Sequence, residues 1–296
     1  MSLDSVLPEV IRNATGKAAA VRSMAPVGGG CINQASRIEL EDGRRFFLKS
    51  NPRPLPRLFE SEAEGLLALR QADCLRVPEV VATGGGREGL PHFILMEYIP
   101  TGRPGPGFFE KFGRGLAQLH RQARGEQFGF ENDNYLGSTP QPNQWTSDWV
   151  RFVRQCRLGH QLKMARQNGL SDPEMDRLGQ RLLDRLDDWI GHPDEPPGLL
   201  HGDLWGGNYL CDDRADPVLI DPAAYYGRGE ADLAMTQLFG GFDASFYHAY
   251  EDVHPLAPGS QERLEIYKLY HLLNHLNLFG RSYFSGCMGI LRRFGG

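Results

Sequence analysis

Several things that the 296-residue sequence lacks narrow its class before any motif is read. Positive charge is in deficit: 32 Lys and Arg stand against 37 Asp and Glu, a formal charge of −5 at pH 7. A nucleic-acid binder needs clustered cations to neutralise phosphates, and the short pair Arg292 and Arg293 does not supply them, so no nucleic-acid partner is expected. Long apolar runs are missing too. Nothing approaches the roughly 18 consecutive apolar residues of a membrane helix, which predicts a soluble protein without a membrane partner. The opening MSLDSVLPEVIRNATG has neither a basic n-region nor an apolar h-region, and a cytoplasmic location is the expectation. Cysteine is sparse: Cys31, Cys74, Cys156, Cys211 and Cys287 stand singly, an odd number with no CxxC pair. That pattern suits neither a disulfide framework nor a zinc site and leaves five thiols.

What is present reads as a globular enzyme. With 41% hydrophobic and 23% charged residues, the chain has room for one large domain or two lobes that each bury a core. From about residue 21 to 99 the pattern predicts strands. Ser36, Ile38 and Leu40 alternate with polar neighbours, EDG at 41 to 43 marks a hairpin turn, and RRFFLK and HFILMEYI follow as further strands. One helix is expected over roughly 58 to 71, where Phe59, Ala63, Leu66, Leu67 and Arg70 recur at helical spacing. The cluster PTGRPGPG at 100 to 107 stops both helix and sheet and is the natural linker. Beyond it helices dominate: Phe109, Phe112, Leu116 and Leu119, then 145 to 168, Leu178 to Ile190, and 260 to 279. The expectation is an α+β chain of two parts, residues 1–99 with an antiparallel sheet plus helix and residues 100–296 mainly helical.

Chemistry-bearing residues follow one another in a telling order. A glycine hairpin (Gly28, Gly29, Gly30) precedes Lys49, one of only five lysines, at the end of a strand. Helical carboxylates Glu60, Glu62 and Glu64 come next, then HGDLWGGN at 201 to 208 and Ile-Asp-Pro at 220 to 222. Phosphoryl transfer uses such parts, because glycine amides approach phosphate oxygens closely and a lysine held by a helix glutamate neutralises the same phosphates. Asp203 would accept the proton of an attacking hydroxyl, while Asn208 and Asp221 offer the oxygen ligands that Mg2+ prefers. Both would emerge at one edge of a hairpin made by YLC and VLID.

The pattern resembles the protein-kinase-like superfamily, with HGD for His-Arg-Asp and Ile-Asp-Pro for Asp-Phe-Gly. It departs from protein kinases in lacking an Ala-Pro-Glu activation segment, which implies a small-molecule substrate. GGGCINQA, FGFENDNYLGSTPQPNQWTSDW, DPAAYYGRGEADLAMTQLFGGF and LYHLLNHLNLFG are similar to the fructosamine kinase (ketosamine-3-kinase) family over nearly the whole chain. The resemblance implies a two-lobed kinase-like fold and ATP-dependent phosphorylation, with Mg2+, of a sugar hydroxyl of glycated small amines or proteins, usually O3, after which the amine is released. It also implies an adenine-binding hinge in LMEYIP, with the Glu97 carbonyl and Ile99 N–H, and Met96 and Tyr98 beside them. Asp232 in EADLAM resembles the helix aspartate that holds the catalytic-loop backbone.

Other residues carry two readings each. Glu62 matches the helix register expected of the Lys49 partner, with Glu60 and Glu64 as alternatives on other faces. His201 is expected to brace the loop rather than take protons. Trp205 either stacks on a sugar or fills a gap, and Tyr225, Tyr226, His271, Asn274 and His275 either join that pocket or are satisfied core groups. Cys31, in the glycine loop near Lys49, is a redox candidate, either a thiolate whose oxidation obstructs ATP or links two chains, or an inert packed thiol. The oligomeric expectation is accordingly a monomer or a redox-linked homodimer. Two rivals stand beside the main reading: an aminoglycoside-type or other small-molecule phosphotransferase, and a catalytically silent nucleotide-binding scaffold.

Overall fold

Strands β1 (Val21–Pro26), β2 (Gln34–Leu40), β3 (Arg45–Asn51), β4 (Val80–Gly84) and β5 (His92–Glu97) form one antiparallel sheet in the order β1-β2-β3-β5-β4. The structure, a computed structural model, describes residues 3–28, 33–53, 55–86 and 90–296. Helix α1 (Leu3–Thr15) covers one face of the sheet and α2 (Leu58–Ala72) the other. Side chains of β3 and β5 alternate between the two: Phe46, Leu48, Phe93 and Leu95 pack with Leu7 and Ile11 of α1, whereas Ile94 and Met96 join Phe59, Leu66 and Leu69 of α2. Burial on both faces is why these strands read as continuous apolar runs rather than as an alternation. The same pleat sends Lys49 to the α2 side.

One expectation needs correcting: the sheet is accompanied by two helices, not one. Leu3, Leu7 and Ile11 of α1 recur every fourth residue, the spacing of a helical stripe, but Pro8 sits inside the segment and argues against a helix interior.

The rest of the chain is mainly helical. It contains α3 (Phe108–Gln122), the small hairpin β6 (Asn134–Leu136) and β7 (Thr139–Gln141), α4 (Trp149–Phe152), a π-helical turn (Val153–Leu158) and α5 (Gly159–Gln167). Helices α6 (Pro173–Asp184) and α7 (Leu186–Ile190) lead to strands β8 (Gly198–Leu200), β9 (Tyr209–Cys211), β10 (Pro217–Leu219) and β11 (Tyr225–Gly227). Helices α8 (Glu230–Thr236), α9 (Ala244–Val253), α10 (Ser260–Phe279) and α11 (Phe284–Phe294) complete the chain. Helix α10 is the central post, packing against α5, α8 and α11, while α3 lies along α9. The segment after β5 does not swing free, because the Gly102 amide donates to the Cys211 carbonyl at 2.8 Å. Among the described residues no helix is long and apolar enough to cross a membrane.

Candidate functional site

A cleft of about 940 Å³ runs between the sheet and the helical part. Its walls include Gly28, Lys49 and Glu62 on one side, Met96 to Ile99 at the back, and Asp203, Asn208 and Asp221 on the other. Residues 172 positions apart meet here, Lys49 of β3 and Asp221 just after β10.

Lys49 lies between two carboxylates. Its Nζ donates to Glu62 Oε1 at 2.6 Å and to Asp221 Oδ1 at 2.5 Å. Burial alone would push the ammonium toward deprotonation, but Asp221 and Glu62 reverse that and raise its pKa, so it stays charged. Glu62 itself shifts upward, mainly because it is desolvated, with the Lys49 charge opposing. Of the three carboxylates on α2, Glu62 therefore makes the pair, whereas Glu64 turns to Arg57 and to Asn132.

The loop from 201 to 208 is set by its own short-range bonds. His201 Nε2 donates to the Ile220 carbonyl at 2.8 Å, which in the neutral ring leaves Nδ1 as acceptor for the Asp203 amide at 3.2 Å. Burial lowers the His201 pKa and keeps the ring neutral, in keeping with that bonding. Gly202 adopts φ 83°, and a Cβ there would lie 2.0 Å from the Ala223 carbonyl oxygen, so glycine is required. Asp232 underpins the turn: its carboxylate accepts from the amides of His201 and Gly202, both at 2.7 Å, and faces His120 Nε2 at 3.1 Å.

Asn208 Nδ2 donates to both the backbone oxygen and Oδ2 of Asp203, at 2.8 and 3.0 Å. Because both partners are acceptors, the amide must present its NH2 group to Asp203, and Oδ1 is left for another partner. Strand register then places Asn208 opposite Ile220, with the Ile220 amide on the Asn208 carbonyl at 3.1 Å, so Asp221 follows next to it. Desolvation raises the Asp203 pKa well above the ordinary carboxylate value; the Asn208 bond opposes this, and the charges of Asp221 and Asp232 add to it. Such a carboxylate has a high affinity for a proton.

The two oxygen donors, Asn208 Oδ1 and the Asp221 carboxylate, fit Mg2+. No group of three or more His, Cys, Asp or Glu that could hold a metal exists among the described residues, and Mg2+ needs none, since phosphate oxygens and water complete its shell.

Several expected residues fall elsewhere. Trp205, Asn274 and His275 line the cleft, whereas Tyr225 and His271 border a separate small cavity beside Arg157. Gly29, Gly30 and Cys31 lie outside the described residues. Sequence reasoning missed Asn134, Phe239, Phe279 and Tyr283 as cleft residues. It also missed Arg157, buried on the π-helical turn against the rings of Tyr225 and Phe152, which bonds the Pro142 carbonyl at 2.6 Å and Asn143 Oδ1 at 2.8 Å. The aromatic and glycine run FGGF at 239 to 242 was the readable signal for Phe239.

The fold defines a class first. It superimposes on the aminoglycoside phosphotransferase APH(4)-Ia with a TM-score of 0.66 over 99% of both chains at 16% identity, a likeness of fold. Closer relatives narrow it. The structure named as a fructosamine-3-kinase from Thermobifida fusca YX-ER1 matches with a TM-score of 0.85 at 36% identity, covering 97% of each chain. The chloroplastic protein-ribulosamine 3-kinase of Arabidopsis thaliana is 42% identical over 282 residues, 93% of this chain and 83% of that one. With the family model for fructosamine kinase matching residues 4–294, the chain belongs to the fructosamine kinase family and is a kinase.

Proposed function

We propose that the protein transfers the γ-phosphoryl group of ATP to O3 of ketosamines, such as fructosamines or ribulosamines on glycated amines or proteins, and so promotes deglycation. One observation carries this reading: the Lys49–Glu62–Asp221 cluster and the Asp203–Asn208 pair face a single cleft. Lys49, held by Glu62, neutralises the phosphates, and Gly28 on the cleft wall offers its amide to them. The Glu97 carbonyl and the Ile99 N–H pair with adenine, with Met96 and Tyr98 beside them. Asp203 accepts the proton of the sugar hydroxyl as the new oxygen–phosphorus bond forms and the bond to ADP breaks. Asn208 keeps the Asp203 carboxylate oriented for that acceptance. Asn208 and Asp221 would hold Mg2+, which when bound would neutralise charge on the phosphates. The name of the Arabidopsis relative supports a ribulosamine acceptor and the 3-position.

A panel of fructosyl-lysine, ribulosyl-lysine, erythrulosyl-lysine, an aminoglycoside and choline, assayed with ATP and Mg2+, tests the reading. Phosphorus NMR should locate new phosphate on O3 of a ketosamine alone. Transfer only to the aminoglycoside or choline would remove the acceptor assignment and keep the chemistry; no transfer at all would favour a silent scaffold.

A further inference from the structure

Beyond Asp203 the cleft ends in a wall of rings. Trp205, two residues after Asp203, meets Phe239 with centroids 6.1 Å apart in an edge contact. Phe239 lies 4.7 Å from the His275 ring, which in turn lies 5.5 Å from Phe279 and 5.1 Å from Tyr283. Seven large apolar side chains are exposed among the described residues, and Trp205 (38%), Phe239 (46%) and Phe279 (49%) all belong to this wall. Such clustering marks a binding surface rather than scattered surface residues.

Two features show what the wall is shaped to meet. Charge is the first. Among the described residues lining the cleft, the only charged groups are Lys49, Glu62, Glu97, Asp203 and Asp221; the rest of this end is Asn134, Tyr135, Asn274, Leu278, Ser282 and the rings. A polycation entering here would find only Asp203 and its neighbour Asp221, which the reaction itself uses. Backbone strain is the second. Phe239 holds φ 55°, a conformation costly for an aromatic residue, although glycines stand at 240 and 241 with φ 109° and 72°. Strain of this kind persists where it fixes a functional group, and here it keeps the ring at the cleft.

His275 supplies a polar contact. Its Nδ1 donates to the His271 carbonyl at 2.8 Å, which leaves Nε2 a bare acceptor in the neutral ring, and burial lowers its pKa and favours that form.

We propose that Phe239, with Trp205, His275, Phe279 and Tyr283, forms an aromatic cage for the secondary ammonium of the ketosamine, the nitrogen that joins sugar to carrier. This rests on the proposed ketosamine activity and adds the basis of amine recognition. A ketosamine nitrogen is a single cation near neutral pH. Ring faces attract such a cation through their quadrupoles, and His275 Nε2 accepts one of its N–H bonds. Beyond the nitrogen the exposed rims of Phe239 and Phe279 leave the carrier in solvent, so the same cage admits a free amine or a protein lysine.

The test compares a matched pair of ligands: the fructosyl derivative of butylamine and the 1-O-butyl ether of fructose, equal in length but neutral. Calorimetric Kd and steady-state KM are measured for the wild-type protein, Phe239→Leu and Phe239→Tyr. Wild type should bind the ammonium ligand about tenfold more tightly than the ether. Phe239→Leu should erase most of that ratio without weakening the ether, and Phe239→Tyr should restore it. Equal affinity of wild type for both ligands, or an equal loss for both in Phe239→Leu, overturns the cage. If Phe239→Leu fails to fold, Phe279→Leu carries the same comparison. Turnover of the ketosamine with no ammonium preference leaves the activity standing and removes the cage, whereas a Phe239-dependent preference in a protein that phosphorylates neither ligand does the reverse.

Discussion

Replacing Asp203 with alanine is expected to lower kcat by about 10²- to 10⁴-fold, the range for loss of a general base, while nucleotide affinity is retained. The separation follows from the bonding. Lys49 is held by Glu62 and Asp221, and neither bond involves Asp203. Asn208 loses its contact with Asp203 Oδ2 but keeps the bond to the Asp203 backbone oxygen at 2.8 Å. Stability should move the other way from activity. With its pKa raised in the fold, Asp203 keeps its proton over a pH window in which the unfolded chain has already released it. Stability therefore falls as pH rises through that window, and the deficit remains at neutral pH. Asp203→Ala removes the burdened carboxylate and should unfold in urea at the same or a higher midpoint, measured without nucleotide or Mg2+. Full turnover in the variant would end the base assignment; lost ATP binding would move Asp203 into the nucleotide site.

The same residues show how far the linear order could be read. Asn208, Asp203 and Asp221 were legible because they sit on one loop and one hairpin, where spacing along the chain is close to spacing in space. The Lys49 partner was legible only as a preference: helix register favoured Glu62 but left Glu60 and Glu64 open, and the seating of α2 on the sheet is what brings Glu62 forward. Helix α10 was read to the residue over 260 to 279, because its apolar stripe is long and ends at Gly280. The π-helical turn at Val153–Leu158 carries no distinct periodic mark, so Arg157 passed as one more residue of a helix beginning near 145. The helix itself begins at Trp149, capped by Asp148, whose side chain accepts from the Arg151 amide. Phe239, Phe279 and Tyr283 come together only through the packing of α8, α10 and the turn after it, and no local pattern encodes that meeting.

Asp232→Ala should cost stability and activity together. Asp232 is fully buried, and its removal strands the His201 and Gly202 amides and His120 Nε2 without their acceptor. An unsatisfied buried donor costs about 1–3 kcal/mol, so the three together cost on the order of 3–9 kcal/mol. That is a large part of the roughly 5–15 kcal/mol that holds a domain folded. Asn at this position recovers only part of it, because its NH2 group must face at least one of the donors that the carboxylate accepts. The effect should also depend on pH with a definite sign. Desolvation would raise the Asp232 pKa, but the hydrogen bonds from His120 and from the Gly202 amide bring it below the ordinary value. Its contribution is therefore complete above the unfolded carboxylate pKa of about 4 and is lost as pH falls through the lowered folded value. Urea unfolding should show the widest gap between wild type and Asp232→Ala near pH 7 and a narrowing gap in acid. Activity should fall mainly in kcat, because the amides released belong to the turn that carries Asp203 rather than to the groups that hold the nucleotide. An Asp232→Ala protein as stable as wild type at pH 7 would mean that the turn is held by the Ala223 amide on the His201 carbonyl at 2.9 Å and not by the aspartate beneath it.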